Sequence, residues 1–160
     1  MVLVSDAKIN IEGGSVTPAQ RAEIEANVIK LINKYYSSKD NSIIPKEIMH
    51  IPYTFMGTAV LPIRSFTDPD AVVESYNEYN KRTMEEEPEK HEAVFTPNNV
   101  TVLSPTAAIV SGNNNHLRKD GSLISVHGVV YILAKFPEKG WRIVAFAPTV
   151  ADTVIRKTPE

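Results

Sequence analysis

The hydrophobic pattern of this sequence changes its period near residue 99, and that change restricts the possible folds more than any other feature. Upstream, apolar residues recur every three or four positions, as in helices packed on a core. Downstream, apolar and polar residues alternate, which predicts strands over 99–103, 106–118, 123–136 and 141–147. Two or three helices followed by an antiparallel sheet predict an α+β fold in which the helices cover one face of the sheet.

Capping residues mark two helix starts. Thr17-Pro-Ala-Gln20 combines a hydroxyl N-cap, a proline at N1 and a glutamine at N3, which predicts a helix over about 18–37. Asp68-Pro69 predicts a second helix, which ends in Glu85-Glu86-Glu87. We interpret these carboxylates as a solvated helix end, because negative charge there opposes the helix dipole. Between the helices we expect short strands at 50–56 and 60–66, the first at a sheet edge because Pro52 lacks an N–H.

The Asp120-Gly121 pair is a strong signal for a two-residue hairpin turn. Counting outward from it pairs His116 with Ser125 and sorts the side chains into two faces. The first face changes from large apolar residues to polar ones towards the turn, as in a small-molecule pocket. Its members are Ala108, Val110, Gly112, Asn114 and His116 opposite Leu133, Tyr131, Val129, His127 and Ser125, and, without a bulge, Arg142, Val144 and Phe146. The second face has many small residues, which favours contact with a second copy of the chain.

Composition and charge restrict the class of protein. The 160 residues, 42% apolar and 22% charged, predict a single domain over 1–160 with its core at about 15–150. A net charge of -2 without a basic block argues against a nucleic-acid partner. We find neither a signal-peptide pattern nor a run of roughly 20 apolar residues, so we expect a cytoplasmic protein with no membrane partner. No close histidine pair has a carboxylate beside it on a predicted strand, so we expect no metal and no other cofactor.

The order of these elements, with Asp120-Gly121 and Gly140-Trp-Arg-Ile-Val144, resembles the nuclear transport factor two-like superfamily and, within it, the SnoaL-like (polyketide-cyclase-like) branch. The resemblance covers about 15–150. It implies a cystatin-like cone, in which N-terminal helices pack on a curved antiparallel sheet around a pocket, and often a homodimer through the outer sheet face. Members include isomerases, dehydratases, cyclases, epoxide hydrolases and binding modules. Tyr36 and Tyr53 match pocket tyrosines of scytalone dehydratases, whereas Ser37 stands where that family has an aspartate.

His116 and His127 are the candidate catalytic residues. They lie one diagonal step apart on the first face, where an imidazole could take up and return a proton near neutral pH. The expected ligand contacts, of which the tyrosines would orient a substrate oxygen, are Tyr36, His50, Tyr53, Asn114, Tyr131 and Phe146. The alternative is that both histidines are merely exposed strand residues near a loop. For His50, a structural role is as plausible as a pocket role.

Two functions fit these residues, both with a small apolar or aromatic molecule as partner. The first is a cofactor-independent isomerase, dehydratase or cyclase. The second is a non-catalytic binding or dimerisation domain with a vestigial pocket. A buried titratable residue with a shifted pKa in the pocket would favour the enzyme. A cavity filled by Tyr131, Leu133 and Phe146 would favour the non-catalytic domain. Asn113-Asn-Asn115 is unusual inside a strand and suggests a bulge beside Gly112, a polar pocket wall or an interface.

Overall fold

The computed structural model describes residues 15–57 and 62–155. Its helices are α1 (Pro18–Ser37) and α2 (Pro69–Glu86), with a 3₁₀ turn (Asn41–Ile43) and a π-helical turn (Ile44–Ile48) after α1. Its strands are β1 (Met49–Phe55), β2 (Arg64–Phe66), β3 (Glu92–Ser104), β4 (Ala107–Leu117), β5 (Leu123–Phe136) and β6 (Gly140–Thr149). They form one sheet in the order β2-β1-β6-β5-β4-β3, in which only the β1–β6 pair is parallel. The predicted α+β architecture is confirmed.

The first helix begins as predicted and covers the sheet. Thr17 Oγ1 accepts a hydrogen bond from the Gln20 N–H at 3.2 Å, and Gln20 Oε1 accepts one from the Thr17 N–H at 2.9 Å. This capping box satisfies N–H groups that the first turn leaves without helical partners. The helix buries Ile24, Val28 and Ile32 and packs on β3, β4 and β6. The face of the sheet under α1 is called the inner face below.

We predicted an edge position for the strand that contains Pro52, and this prediction is wrong. β2 is the edge strand, and β1 lies between β2 and β6. Pro52 is tolerated because it falls where the β1–β6 register shifts, between Met49 and Thr54, and it precedes the residues that pair with β2. The strand expected at 60–66 is present as Arg64–Phe66, and residues 60 and 61 lie outside the described residues.

The β4–β5 hairpin has the predicted register but not the predicted turn. His116 pairs with Ser125, as counting from Asp120-Gly121 predicts. However, the Arg118 N–H donates to the Ser122 oxygen, so residues 119–121 form the turn, with Gly121 at a φ of 82°. The next pairs are Leu117 with Leu123 and His116 with Ser125, so Ile124 is an extra, unpaired residue of β5. This extra residue restores the predicted register beyond the turn.

A bulge in β6 changes the faces predicted for that strand. The β5–β6 register shifts by one residue, and Val144 is the unpaired residue. The assignment of Arg142 and Val144 to the inner face is therefore wrong, and the buried Trp141 and Ile143 lie there instead. Phe146 follows the bulge and lies on the inner face as predicted.

The outer face of the sheet is partly covered by the chain itself. After β6, residues 150–155 cross strands β3, β4 and β5, and we call this segment the strap. It covers part of the face that was expected to meet a second copy. The bulge suggested by Gly112 lies on the neighbouring strand, where Asn98 is the extra residue. Within residues 15–57 and 62–155, no helix is long and apolar enough to cross a membrane.

Candidate functional site

Two groups of polar side chains lie on the inner face, at different distances from the β4–β5 turn. The hairpin cluster, near the turn, consists of Glu87, His116, Ser125 and His127. The tyrosine cluster, farther from the turn, consists of Tyr35, Tyr36, Tyr53, Tyr76 and Tyr131. Tyr131 follows His127 by four residues on β5, about 13 Å at roughly 3.3 Å per strand residue. The predicted histidines and tyrosines thus share a face but form two separate groups.

Glu87 is at the centre of the hairpin cluster. It is the C-cap residue of α2, and its N–H donates to the Thr83 oxygen at 2.8 Å. This helix end directs the carboxylate at β4 and β5, where Oε2 accepts from His116 Nδ1 at 2.5 Å. Oε1 accepts from the Ser125 hydroxyl at 2.6 Å. The interpretation of Glu87 as part of a solvated helix end is wrong, because its side chain is only 18% exposed.

Burial and hydrogen bonding determine the charge states of Glu87 and His116. Burial by itself raises the pKa of Glu87, but the hydrogen bonds from Ser125 and His116 together hold that pKa below its usual value. The pKa of His116 is lowered, chiefly because burial disfavours the imidazolium form, although the bond to Glu87 opposes this. At neutral pH the pair is therefore a carboxylate and a neutral imidazole. His116 donates from Nδ1–H, and its Nε2 accepts from Asn114 Nδ2 at 3.3 Å.

His127 is the exposed member of the cluster. Its side chain is 53% exposed, and its ring centroid lies 4.9 Å from that of His116. The Ser125 hydroxyl has a single proton, which it donates to Glu87. Ser125 Oγ must therefore accept from His127 Nε2–H, which lies 2.9 Å away. In the neutral form of the ring, the lone pair is then on His127 Nδ1, which makes this atom the candidate base of the cluster.

The same side chains carry atoms that metals bind. Glu87, His116 and His127 each offer one such atom, and these lie within 4.8 Å of one another. Two imidazoles and a carboxylate are a donor set that zinc and iron use. In this structure both carboxylate oxygens accept hydrogen bonds, one from His116 Nδ1 and the other from the Ser125 hydroxyl. The arrangement is that of a hydrogen-bonded acid–base network.

The tyrosine cluster fills the space between the helices and the sheet. The hydroxyl oxygens of Tyr36 and Tyr131 are 2.8 Å apart, and the Tyr35 hydroxyl donates to that of Tyr76 at 3.1 Å. Burial raises the pKa of all four and of Tyr53, so these phenols remain protonated at neutral pH. They can orient a bonded oxygen but cannot act as bases. Tyr53 and Tyr131 are 2% and 1% exposed, respectively. The Tyr53 ring stacks on Phe66, and the Tyr131 ring packs against Tyr35 and Phe146.

The other predicted contact residues lie in three different places. Asn114 borders the hairpin cluster, because its amide bonds to His116. Phe146 borders the tyrosine cluster, with its ring centroid 5.5 Å from that of Tyr131. His50 stacks on Phe136 at 4.0 Å, and strand alternation places Phe136 on the outer face. His50 therefore joins neither group.

Comparison with known proteins agrees with this architecture. A family model described as NTF2-like protein (DUF6841) matches residues 25–151. No curated protein matches the sequence. Among solved structures, a ketosteroid isomerase-like protein from Erwinia carotovora atroseptica has a TM-score of 0.56 and 15% identity, over 82% of this chain and 96% of that one. An NTF2-like superfamily protein from Salmonella enterica serovar Typhimurium has a TM-score of 0.56 and 16% identity, over 87% of this chain and 96% of that one.

A third similar structure comes from Catenulispora acidiphila and is a complex with S-DNPA. It has a TM-score of 0.55 and 14% identity, over 82% of this chain and 95% of that one. At such identities, structural likeness demonstrates the fold alone. The family model covers most of the chain and confirms the predicted superfamily. The SnoaL-like branch stays a prediction. The chain belongs to the NTF2-like protein family DUF6841.

Proposed function

We propose that this protein binds a small, mostly apolar molecule and transfers a proton at the hairpin cluster, without a cofactor. The observation that carries the proposal is the convergence of Glu87, His116, Ser125 and His127 into one hydrogen-bonded network. A largely shielded carboxylate that is linked through Ser125 to an exposed imidazole is an arrangement suited to general acid–base catalysis. The reaction class is isomerisation, dehydration or cyclisation.

His127 is the residue that exchanges the proton. Its Nδ1 removes a proton from a substrate carbon, and the positive charge that forms on the ring is balanced through Ser125 by Glu87. In an isomerisation or cyclisation, the proton then returns from His127 to another substrate atom. In a dehydration, the hydroxyl leaves with the electron pair of its C–O bond and takes the proton from His127 to form water. His116 acts as a positioning residue, because its Nδ1–H holds the second carboxylate oxygen. This assignment separates the roles of the two histidines.

The fold supports a small molecule as the substrate. Proteins of this architecture include one solved as a complex with S-DNPA and one described as ketosteroid isomerase-like. The net charge of -2 and the lack of a basic block agree with an uncharged or weakly charged ligand. A single domain over 1–160 and a cytoplasmic location stay predictions.

The base-induced ring opening of a nitrobenzisoxazole tests the proposal without knowledge of the natural substrate. A base removes the ring C–H proton, the N–O bond breaks, and the electron pair leaves on the phenolate oxygen, which absorbs visible light. General-base catalysis predicts a rate roughly 10²-fold above that of free imidazole at equal concentration. His127→Gln should abolish this excess, whereas His91→Gln, at an exposed histidine outside the cluster, should retain it.

A rate no higher than that of imidazole would argue against a catalytic base, as would a His127→Gln variant as fast as the unmodified chain. His116→Gln distinguishes positioning from proton transfer. As a positioning residue, it should lower the rate by less than His127→Gln does and should shift the pH at which the rate is half-maximal.

The second candidate function is a non-catalytic binding or assembly domain. The observation that favours it is the filled interior, where Tyr53, Tyr131 and Leu133 are each no more than 2% exposed. Such packing leaves the residues predicted to contact a ligand occupied by one another. If the nitrobenzisoxazole raises the midpoint of thermal unfolding but is not opened, this second function is supported and the first is not.

A further inference from the structure

The hairpin cluster brings together two imidazoles and a carboxylate from three elements of the fold. Glu87 caps the C-terminus of α2, His116 lies on β4 and His127 lies on β5. Each offers one atom to a group that spans no more than 4.8 Å. Two histidines and a carboxylate are the protein ligands of zinc sites that keep an open fourth position. The sequence-based expectation of no metal considered only carboxylates on predicted strands, whereas this carboxylate comes from a helix end.

The distances within the cluster are close to those of a zinc site. Ligand atoms around a tetrahedral zinc ion lie about 3.4 Å apart, because the Zn–N and Zn–O bonds are about 2.1 Å long. Glu87 Oε2 and His116 Nδ1 are 2.5 Å apart, so they have to separate by about 0.9 Å. His127 Nε2 lies 3.9 Å from the other carboxylate oxygen, and its half-exposed ring has room to turn towards the ion. Small side-chain rotations therefore convert the hydrogen-bonded network into a set of three ligands.

Asn114 allows His116 to present either of its two ring tautomers. In the metal-free network, His116 donates from Nδ1–H, and its Nε2 accepts from the Asn114 amide. A metal on Nδ1 requires the other tautomer, in which the proton is on Nε2 and needs an acceptor. Asn114 Oδ1 is buried and has no hydrogen-bond partner within the described residues. A half-turn of this amide directs Oδ1 at Nε2–H, and the new bond replaces the old one.

The surroundings of the cluster favour a cation. Ser125 keeps its hydrogen bond to Glu87 Oε1 when Oε2 binds the ion, as is common for metal-bound carboxylates. The C-terminus of α2 is the negative end of the helix dipole. Residues 85–90 contain four glutamates and one lysine, and even with the ion pair between Arg118 and Glu89 the charge here stays negative. This end of the helix therefore attracts positive charge to the cluster.

We propose that the hairpin cluster binds one zinc ion through Glu87 Oε2, His116 Nδ1 and His127 Nε2, and that the ion stops the proposed proton transfer. On each histidine the proton moves to the other ring nitrogen, so the ion displaces no proton. The lone pair of His127 Nδ1 is then no longer available to a substrate. Zinc is thus an inhibitor, and the metal-free chain is the active form. The site rests on geometry alone, whereas the inhibition rests on the proposed function.

Zinc binding by the full chain tests the site. Calorimetric titration of the chelator-treated protein with zinc chloride should give one ion per chain. His127→Gln replaces an exposed side chain and should weaken the binding at least about tenfold. His91→Gln, the matched control at an exposed histidine outside the cluster, should bind as the unmodified chain does. A chain that binds no zinc, or a His127→Gln variant that binds as tightly as the control, would overturn the proposal.

Nitrogen chemical shifts of the histidine rings test which atoms bind. In long-range ¹H–¹⁵N spectra, zinc should move the His116 proton from Nδ1 to Nε2. Asn114→Ala removes the acceptor for that proton and should weaken zinc binding roughly tenfold, as the loss of an outer-shell partner does. A His116 ring whose spectrum is unchanged by bound zinc would overturn the proposed ligand set.

The opening of the nitrobenzisoxazole separates the zinc site from the proposed function. If the metal-free chain is active, one equivalent of zinc should abolish the excess over imidazole, and removal of the ion with EDTA should restore it. Full activity with zinc bound would overturn the inhibition. If the metal-free chain is inactive, the proposed function and the inhibition both fail, whereas one ion bound per chain would still support the site.

Discussion

Replacing Glu87 by glutamine removes the negative charge of the hairpin cluster and keeps the shape of the side chain. The carboxylate accepts two hydrogen bonds, from His116 and Ser125, and is largely shielded from water. A hydrogen bond to a charged group contributes about 1.5–3 kcal/mol and one between neutral groups about 0.5–1.5 kcal/mol. The glutamine oxygen can accept from His116 Nδ1–H, and its NH₂ group can donate to Ser125 Oγ, so two bonds to a charged group become two neutral bonds. This change predicts a loss of about 2 kcal/mol in the free energy of unfolding at neutral pH.

Urea unfolding of Glu87→Gln, followed by circular dichroism, measures this loss. The matched control is Glu86→Gln, which changes the same charge at the neighbouring but exposed residue and should alter stability by less than about 0.5 kcal/mol. The difference between Glu87→Gln and the unmodified chain should shrink as the pH falls below the usual carboxyl value of 4.5, because Glu87 then becomes neutral as well. Equal stabilities of Glu86→Gln and Glu87→Gln at neutral pH would refute the hydrogen-bonded network.

Two further predictions concern pH and the tyrosine cluster. Because burial lowers the pKa of His116, the unfolded chain binds a proton at this residue more readily than the folded chain does, so the free energy of unfolding should fall as the pH drops below about 6.5. Urea titrations at several pH values should show that His116→Gln removes the His116 contribution to this fall. A pH dependence that is unchanged in His116→Gln would contradict the lowered pKa of His116. Tyr36→Phe and Tyr131→Phe should each cost about 1–2 kcal/mol, because each leaves a buried hydroxyl without its partner. In a double-mutant cycle the pair should cost clearly less than the sum, and strictly additive losses would argue against the bond.

Features encoded by neighbouring residues could be predicted from the sequence. The capping box of Thr17 and Gln20 depends on residues three apart, and the alternation in β4 and β5 decides which side chains share a face. The register of the β4–β5 hairpin matches the prediction although the turn has three residues instead of two, because an extra residue in β5 compensates for the extra turn residue. The bulge at Val144 had no comparable local signal, and it moved Trp141 and Ile143 onto the inner face.

In the candidate site, the two histidines could be predicted from the sequence, but Glu87 could not, because its contacts are with residues distant in the chain. Alternation placed His116 and His127 together, but it could not say that a helix end would bring Glu87 to them from a different part of the chain. A run of three glutamates before a proline is compatible with solvated side chains, and nothing local indicates that the third one turns towards the sheet. The same limit applies to the strap, since its bond to Asn113 and its close approach to Gly128 join residues that are distant in the chain.

The separation of the two polar groups on the inner face changes what a catalytic experiment should look for. Alternation predicts which face a side chain occupies but not how far it lies from the open end of a hairpin, so histidines and tyrosines about 13 Å apart were assigned to a single pocket. The tyrosines are packed and remain protonated, whereas His127 is exposed and bonds to Ser125 through Nε2. The proton transfer that we propose therefore takes place at the turn end of the hairpin, so that a substrate would reach His127 without entering the tyrosine-filled interior.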